Sequence, residues 1–255
     1  MRTMNFPFAP GRTCLAIGVL VFGVLSLIHG DFVSGLQPLP TPDAAHVAWP
    51  YLSGLSLVAI GAGLLVDRTT RWAAFALAAL LLLWCLLIHA PVVIAEPRNG
   101  TAWVRFFESF ALAGAAFVLA GLTGSQRMPG AIDHKLVRLG RFCFGISLPV
   151  FAATHFIYAE FVATIVPAWI PARLFWAWFT GAAHLAAGLA VLAGVQARLA
   201  ALLAGAMYGS WALLLHVPRV TPDIANRPEM TNLFVAVALC GAAWIVAASY
   251  PKATK

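Results

Sequence analysis

The chain has 255 residues, of which 62% are hydrophobic and only 10% charged, with a formal net charge of +7 and a mean hydropathy of +0.88. Soluble domains carry about 25% charged residues and about 45–50% apolar ones, so a soluble globule is excluded. The basic residues sit singly or in small groups between apolar runs rather than in a stripe interleaved with aromatics, which excludes nucleic acid as the expected partner and leaves the lipid bilayer.

Eight apolar runs approach the roughly 20 residues that a helix needs to cross a bilayer, without strand-like alternation. The expected fold is therefore an all-α integral membrane protein of eight transmembrane helices. The first run covers about Cys14–His29 after a short segment with Arg2 and Arg12. It has no A-x-A-like cleavage site behind it and reads as a retained span. A polar, proline-rich segment with Asp31 and Asp43 follows. The second run covers Ala48–Val66, and the turn after it carries Arg68 and Arg71. The third covers Trp72–Ile88 and closes at His89, with Pro91 expected to end the helix. A loop with Glu96 and Asn99 leads to the fourth, Val104–Leu122. A basic connector over 123–141 holds Arg127, Lys135, Arg138 and Arg141. The last four runs cover Phe142–Ala159, Phe175–Ala193, Leu199–His216 and Thr231–Ser249.

The halves repeat. At a constant step of 127, Gly54 matches Gly181, Gly61 matches Gly188, Arg71 matches Arg198 and Trp84 matches Trp211. The same step joins His89 to His216, Pro91 to Pro218, Asn99 to Asn226 and Gly114 to Gly241. Trp, His, Pro, Arg and Asn in one gapless register indicate an internal duplication. The expected layout is residues 1–13 as an N-terminal segment, 14–122 and 142–249 as two four-helix repeats joined by the connector, and 250–255 as a tail. Eleven Lys and Arg residues fall on the side of the termini and five on the other, so the termini are expected in the cytoplasm. Each repeat has an even number of spans, so the two run parallel, about an axis along the membrane normal.

Cys14, Cys85, Cys143 and Cys240 form no C-x-x-C pair and read as small apolar packing residues. The candidate polar site lies at the outer helix ends: His29 and His155 at the first span of each half (126 apart), and His89 and His216 at the third. Trp84 and Trp211 lie below them, and Glu108 and His184 are polar groups without a counterpart in the other half. Histidines at helix C-termini also complement the helix dipole, and Trp at this depth also builds an aromatic belt. Three chemical readings compete with that plain one. A bis-histidine haem would pair His29 with His89, or His155 with His216. A quinone pocket would use His with Trp or Tyr between apolar walls. A solute pathway between the halves would be lined by Glu108, Ser109, His184 and Thr180.

In the second half, TGAAHLAAGLAVL from Thr180, then Arg198-Leu-Ala-Ala and Leu215-His216-Val217-Pro218, preceded by His155 and by VPAWIP from Val166, resembles the DoxX-like four-helix membrane unit. The first half resembles it more loosely, giving a tandem pair. The resemblance implies a bacterial inner-membrane protein serving as the anchor or quinone-side partner of a redox protein subunit, as in thiosulfate:quinone oxidoreductases. Members commonly carry Glu where His184 stands, so a shared role for this position does not follow. The alternatives are a transporter of small solutes or lipids built from two parallel halves, and a purely structural partner of a soluble subunit.

Overall fold

The computed structural model describes residues 8–39, 47–125 and 131–251. The expectations placed on Arg2, Asp43, Arg127, Lys252 and Lys255 lie outside them. Eight helices are long and apolar enough to cross a membrane: α1 (Phe8–His29), α2 (Ala48–Leu65), α3 (Thr70–Ala95), α4 (Gly100–Ser125), α5 (Ala131–Ile157), α6 (Arg173–Ala193), α7 (Ala197–Val220) and α8 (Arg227–Ala248). A short helix, Ala159–Ile165, lies between α5 and α6, and no strand occurs among the described residues. The helices alternate in direction, so one end of the bundle carries the start of α1 and the end of α8, and the other carries His29, His89, His155 and His216.

Several boundaries differ from the apolar runs. Helix α1 starts at Phe8, because Pro10 falls in its first turn, where a missing N–H costs nothing. Much of the predicted connector is helix, since α4 runs on to Ser125 and α5 begins at Ala131. The stretch from Ala131 to Arg141 holds no proline, so nothing stops helix formation before the apolar run begins.

The third span does not end at Pro91. Instead the turns Cys85–His89 and Ala212–His216 widen to π-helix, and helix resumes through Pro91 and Pro218. The wider turn moves the carbonyl that the proline ring would strike, so the axis continues. The two π-turns are one repeat step apart, as are the caps of α4 and α8. Asn99 Oδ1 accepts from Ala102 N–H at 3.2 Å, and Asn226 Oδ1 accepts from Glu229 N–H at 3.2 Å. Asn226→Ala should lower stability by ~1 kcal/mol, read as a lower thermal midpoint in detergent.

The packing has the pseudo-twofold symmetry of two parallel repeats. Within the halves α1 pairs with α2 as α5 does with α6, and α3 pairs with α4 as α7 does with α8. Between them α4 packs on α5, α8 packs on α1, and α4 meets α8 at the axis. Each half is thus closed by the fourth helix of the other. The two axial helices are the most buried, 67% of their apolar windows against 28% for α2 and α7. They are buried on all faces, as interior helices must be, and Ala and Gly let their neighbours come close. Gly114 faces Gly140 and Gly241 faces Gly11, in each case near enough that an added Cβ would meet backbone. Outward-facing Leu, Ile and Phe cover the periphery, and exposed Trp49, Tyr51, Trp169, Trp176 and Trp178 gather at the histidine end, where lipid interfaces favour such rings.

Candidate functional site

In the first half the histidine end is filled by the chain itself. The segment after α1 turns at Gly30 and Gly35, both at positive φ, and folds inward to bury Val33, Leu36 and Gln37. Gln37 holds the turn by accepting from Val33 N–H at 3.2 Å, and it donates to Ser53 at 3.1 Å. His89, only 2% exposed, lies 3.3 Å from Ser109 Oγ and meets the Leu36 backbone carbonyl. Both sides of this ring are therefore occupied.

On the pseudo-twofold axis, Arg105 donates to Glu108 at 2.9 Å and to Asn232 at 2.8 Å. Arg105 and Asn232 are repeat counterparts, so equivalent positions of α4 and α8 meet across the axis. Beside them Glu229 takes Arg219 at 2.7 Å and stands 3.6 Å from His216 Nδ1. Arg227 pairs with Asp31 at 3.0 Å and donates to the Phe32 carbonyl at 3.2 Å, which ties α8 to the inward-folded loop. Three guanidinium groups thus balance three carboxylates, and the network closes this end of the interface.

In the second half four rings from three helices gather instead. His155 of α5 lies 4.9 Å from His184 of α6, centroid to centroid, and stacks on Trp211 of α7 at 5.9 Å with 19° between the planes. His184 also lies 5.6 Å from Tyr208 and 5.5 Å from Trp211, with Phe151 at 5.7 Å on its other side. His155 Nδ1 contacts the Phe151 carbonyl at 2.8 Å and His184 Nδ1 the Thr180 carbonyl at 2.9 Å. A carbonyl only accepts, so each Nδ1 carries the proton and each Nε2 keeps a lone pair. Among the described residues no hydrogen bond reaches either Nε2. The Tyr208 hydroxyl is buried with no hydrogen-bond partner among the described residues, a condition that costs about 1–3 kcal/mol. His184 and Tyr208 are 1% exposed, while His155 and Trp211 are partly exposed at the cluster's edge.

The loop that follows α5 does not fold over this cluster as its counterpart does in the first half. Its short helix and the turn after it leave Phe161 and Trp169 on the outside. At the matching positions of the first half stand Leu57 for His184 and Leu81 for Tyr208, while Trp84 is retained for Trp211 and Phe22 for Phe151.

The residues singled out from sequence are thus dispersed. His155, His184 and Trp211 come together; Glu108 joins the axial network, with His216 at its edge beside Glu229; His89 sits in a separate contact with Ser109. Trp84 is a core residue, and His29 is exposed at the end of α1. The pairing of His29 with His155 is corrected. Gly11 and Gly140 occupy equivalent places against α8 and α4, and Ala16 and Gly145 against Gly61 and Gly188. That sets the step between α1 and α5 at 129, not 126, and makes Ser26 the counterpart of His155 and Tyr158 that of His29. Among the described residues no direct ring contact joins His29 to His89 or His155 to His216, the two pairs considered for haem; the imidazole that His155 meets is that of His184. No group of three His, Cys, Asp or Glu side chains suited to a metal ion occurs among the described residues. Tyr208 and Phe151 were not anticipated, although the register already set Tyr208 opposite Leu81. Compared with protein families, curated proteins and solved structures, the chain matches none.

Proposed function

We propose that the chain is the quinone-side membrane subunit of a redox complex, and that the second-half ring cluster holds the quinone or quinol headgroup. The observation that carries this reading is one buried donor and two acceptors left unpartnered among flat apolar walls. Tyr208 O–H donates to a carbonyl oxygen, and the Nε2 lone pairs of His184 and His155 accept from a hydroxyl. Phe151 and Trp211 supply the faces. A quinone bound there would supply two-electron, two-proton redox chemistry. The chain's own part is to orient the headgroup, keep bulk water away and take or return a proton at Nε2. The two electrons would be exchanged with a redox protein subunit, toward the headgroup when a quinone is bound and away from it when a quinol is.

The reading takes up the DoxX-like resemblance and, with it, a bacterial inner-membrane location and cytoplasmic termini; in that orientation the cluster would lie near the periplasmic leaflet. The solute-pathway alternative is less well supported. Below Ser109 the axial helix α4 presents Ala111–Ala120 almost entirely buried, and α8 does the same from Val235 to Ala247. No polar lining continues inward along the axis among the described residues.

Titration of the detergent-solubilised protein with a short-chain benzoquinone, read by tryptophan quenching, tests the reading. Tyr208→Phe should weaken binding about tenfold, the worth of one hydrogen bond near 1–1.5 kcal/mol, yet leave the thermal midpoint unchanged or higher because the lost hydroxyl had no partner. His184→Leu, which copies the first half, should abolish saturable binding of the corresponding quinol, whose hydroxyl is the group that Nε2 accepts from. If both variants titrate like the parent and no quinone co-purifies with any of them, the cluster is core packing and the reading fails.

A further inference from the structure

A second site lies at the opposite end of the bundle, away from the ring cluster and independent of it. Two cavities flank the first turns of α5 and share a wall made by Arg138 and Arg141. The larger, 430 Å³, opens between α4, α5 and the end of α8 and adds His134 and Ser249 to the lining. The smaller, 220 Å³, opens between α5 and the end of α6 and is walled by Phe142, Leu192 and Tyr250. No Asp or Glu lines either one among the described residues.

The two guanidinium groups are prepared differently. Arg141 is fixed: Nε donates to Ser249 Oγ at 2.9 Å, an Nη donates to the Ser249 carbonyl, and the group lies 3.8 Å from the centre of the Tyr250 ring. These contacts use only some of its N–H groups and hold the rest in the cavity wall. Arg138, one turn earlier on the same face, is exposed and has no hydrogen bond or ion pair among the described residues. Among the described residues the two cations share one basin without a counter-charge, which favours an anion with acceptor oxygens.

What surrounds the basin selects the kind of anion. Phe142 is 55% exposed and Val195, just beyond Gly194 of the smaller cavity's wall, 66%. An apolar, lipid-facing surface therefore begins where the charged wall ends. A free oxyanion needs only the guanidinium groups; a molecule with a phosphate head and an acyl chain uses both. This end of the bundle also carries the excess of Lys and Arg, the bias that marks the leaflet where anionic lipids and juxtamembrane basic residues meet.

We propose that this basin binds the phosphate of an anionic phospholipid, with Arg138 and Arg141 on the headgroup and an acyl chain along Phe142 and Leu192. The test uses full-length protein in nanodiscs of phosphatidylcholine with increasing phosphatidylglycerol or cardiolipin. Bound lipid is counted by native mass spectrometry, and the thermal midpoint is followed in parallel. The expected result is retention of one or two anionic lipids and a rising midpoint, with apparent affinity at least tenfold weaker in Arg138→Gln and preserved in Arg138→Lys. Arg138 makes no hydrogen bond or ion pair among the described residues, so a normal elution profile for Arg138→Gln establishes that its fold is intact. Inorganic phosphate at millimolar concentration should neither raise the midpoint nor displace the lipid. Equal lipid retention by Arg138→Gln and the parent would overturn the site. Full displacement by phosphate would overturn the assignment to lipid in favour of a soluble anion.

Discussion

Gly241→Leu is expected to lower the thermal midpoint in detergent by on the order of 10 °C. A Cβ there would lie 2.5 Å from the Gly11 carbonyl oxygen and 3.0 Å from Cys14 Cβ. Overpacking of a core costs typically 1–3 kcal/mol and occasionally more. The obstacle here is backbone, which cannot rotate away, so a cost of ~3 kcal/mol or more is expected; each kcal/mol shifts the midpoint by about 2–4 °C in a chain of this size. Gly114→Leu should behave alike, because its Cβ would sit 2.7 Å from the Gly140 carbonyl oxygen and 2.8 Å from Phe144 N. Gly209→Ala is the control, since its Cβ meets only Cys240 Sγ at 3.4 Å. Removing a glycine from a helix interior there should leave stability unchanged or slightly improved. If Gly241→Leu and Gly209→Ala melt together, close backbone approach is not what joins the two halves.

Removing one charge from the axial network should be worse than removing two. Arg105→Met leaves the Glu108 carboxylate, 8% exposed, without its partner. Breaking a buried pair from one side costs about 3–5 kcal/mol, whereas replacing both members with apolar side chains is often neutral. Arg105→Met/Glu108→Met should therefore regain most of the stability lost in the single variant, short of what the Asn232 bond contributes. A double-mutant cycle on thermal or denaturant midpoints reads this directly. Simple additivity of the two single effects would show that the pair is solvated and that the network does not bind the halves together.

The duplication was legible because Trp, His, Pro, Arg and Asn are rare in an apolar chain and therefore keep register visible. It led directly to eight spans, parallel halves and shared ends. The same rule applies to α1 and α5 at their own step of 129, where Gly11, Arg12, Cys14 and Phe22 match Gly140, Arg141, Cys143 and Phe151. His29 with His155, at 126, is a coincidence of step. The glycine contacts follow the register that these identities carry. The prolines differ from expectation for a local reason: Pro91 reads as a stop in the sequence, but a π-turn accommodates its ring and carries the helix on.

Divergence between the halves was half legible. His184 against Leu57 and Tyr208 against Leu81 both stand in the register, yet only the first drew notice, because a buried tyrosine in an apolar helix looks like ordinary core.

The amino-acid sequence by itself determined the solvent of this protein, its helical class, the number of spans and their duplication, since hydropathy and register are properties of the order of residues. Tertiary structure alone decided which half is left open. In the first half a loop turns inward and its backbone occupies His89, while in the second the loop stays outside and four rings from three helices keep unpartnered polar atoms. No periodicity encodes that difference. It depends on where a carbonyl from a distant segment comes to rest, and only the packed bundle specifies that position.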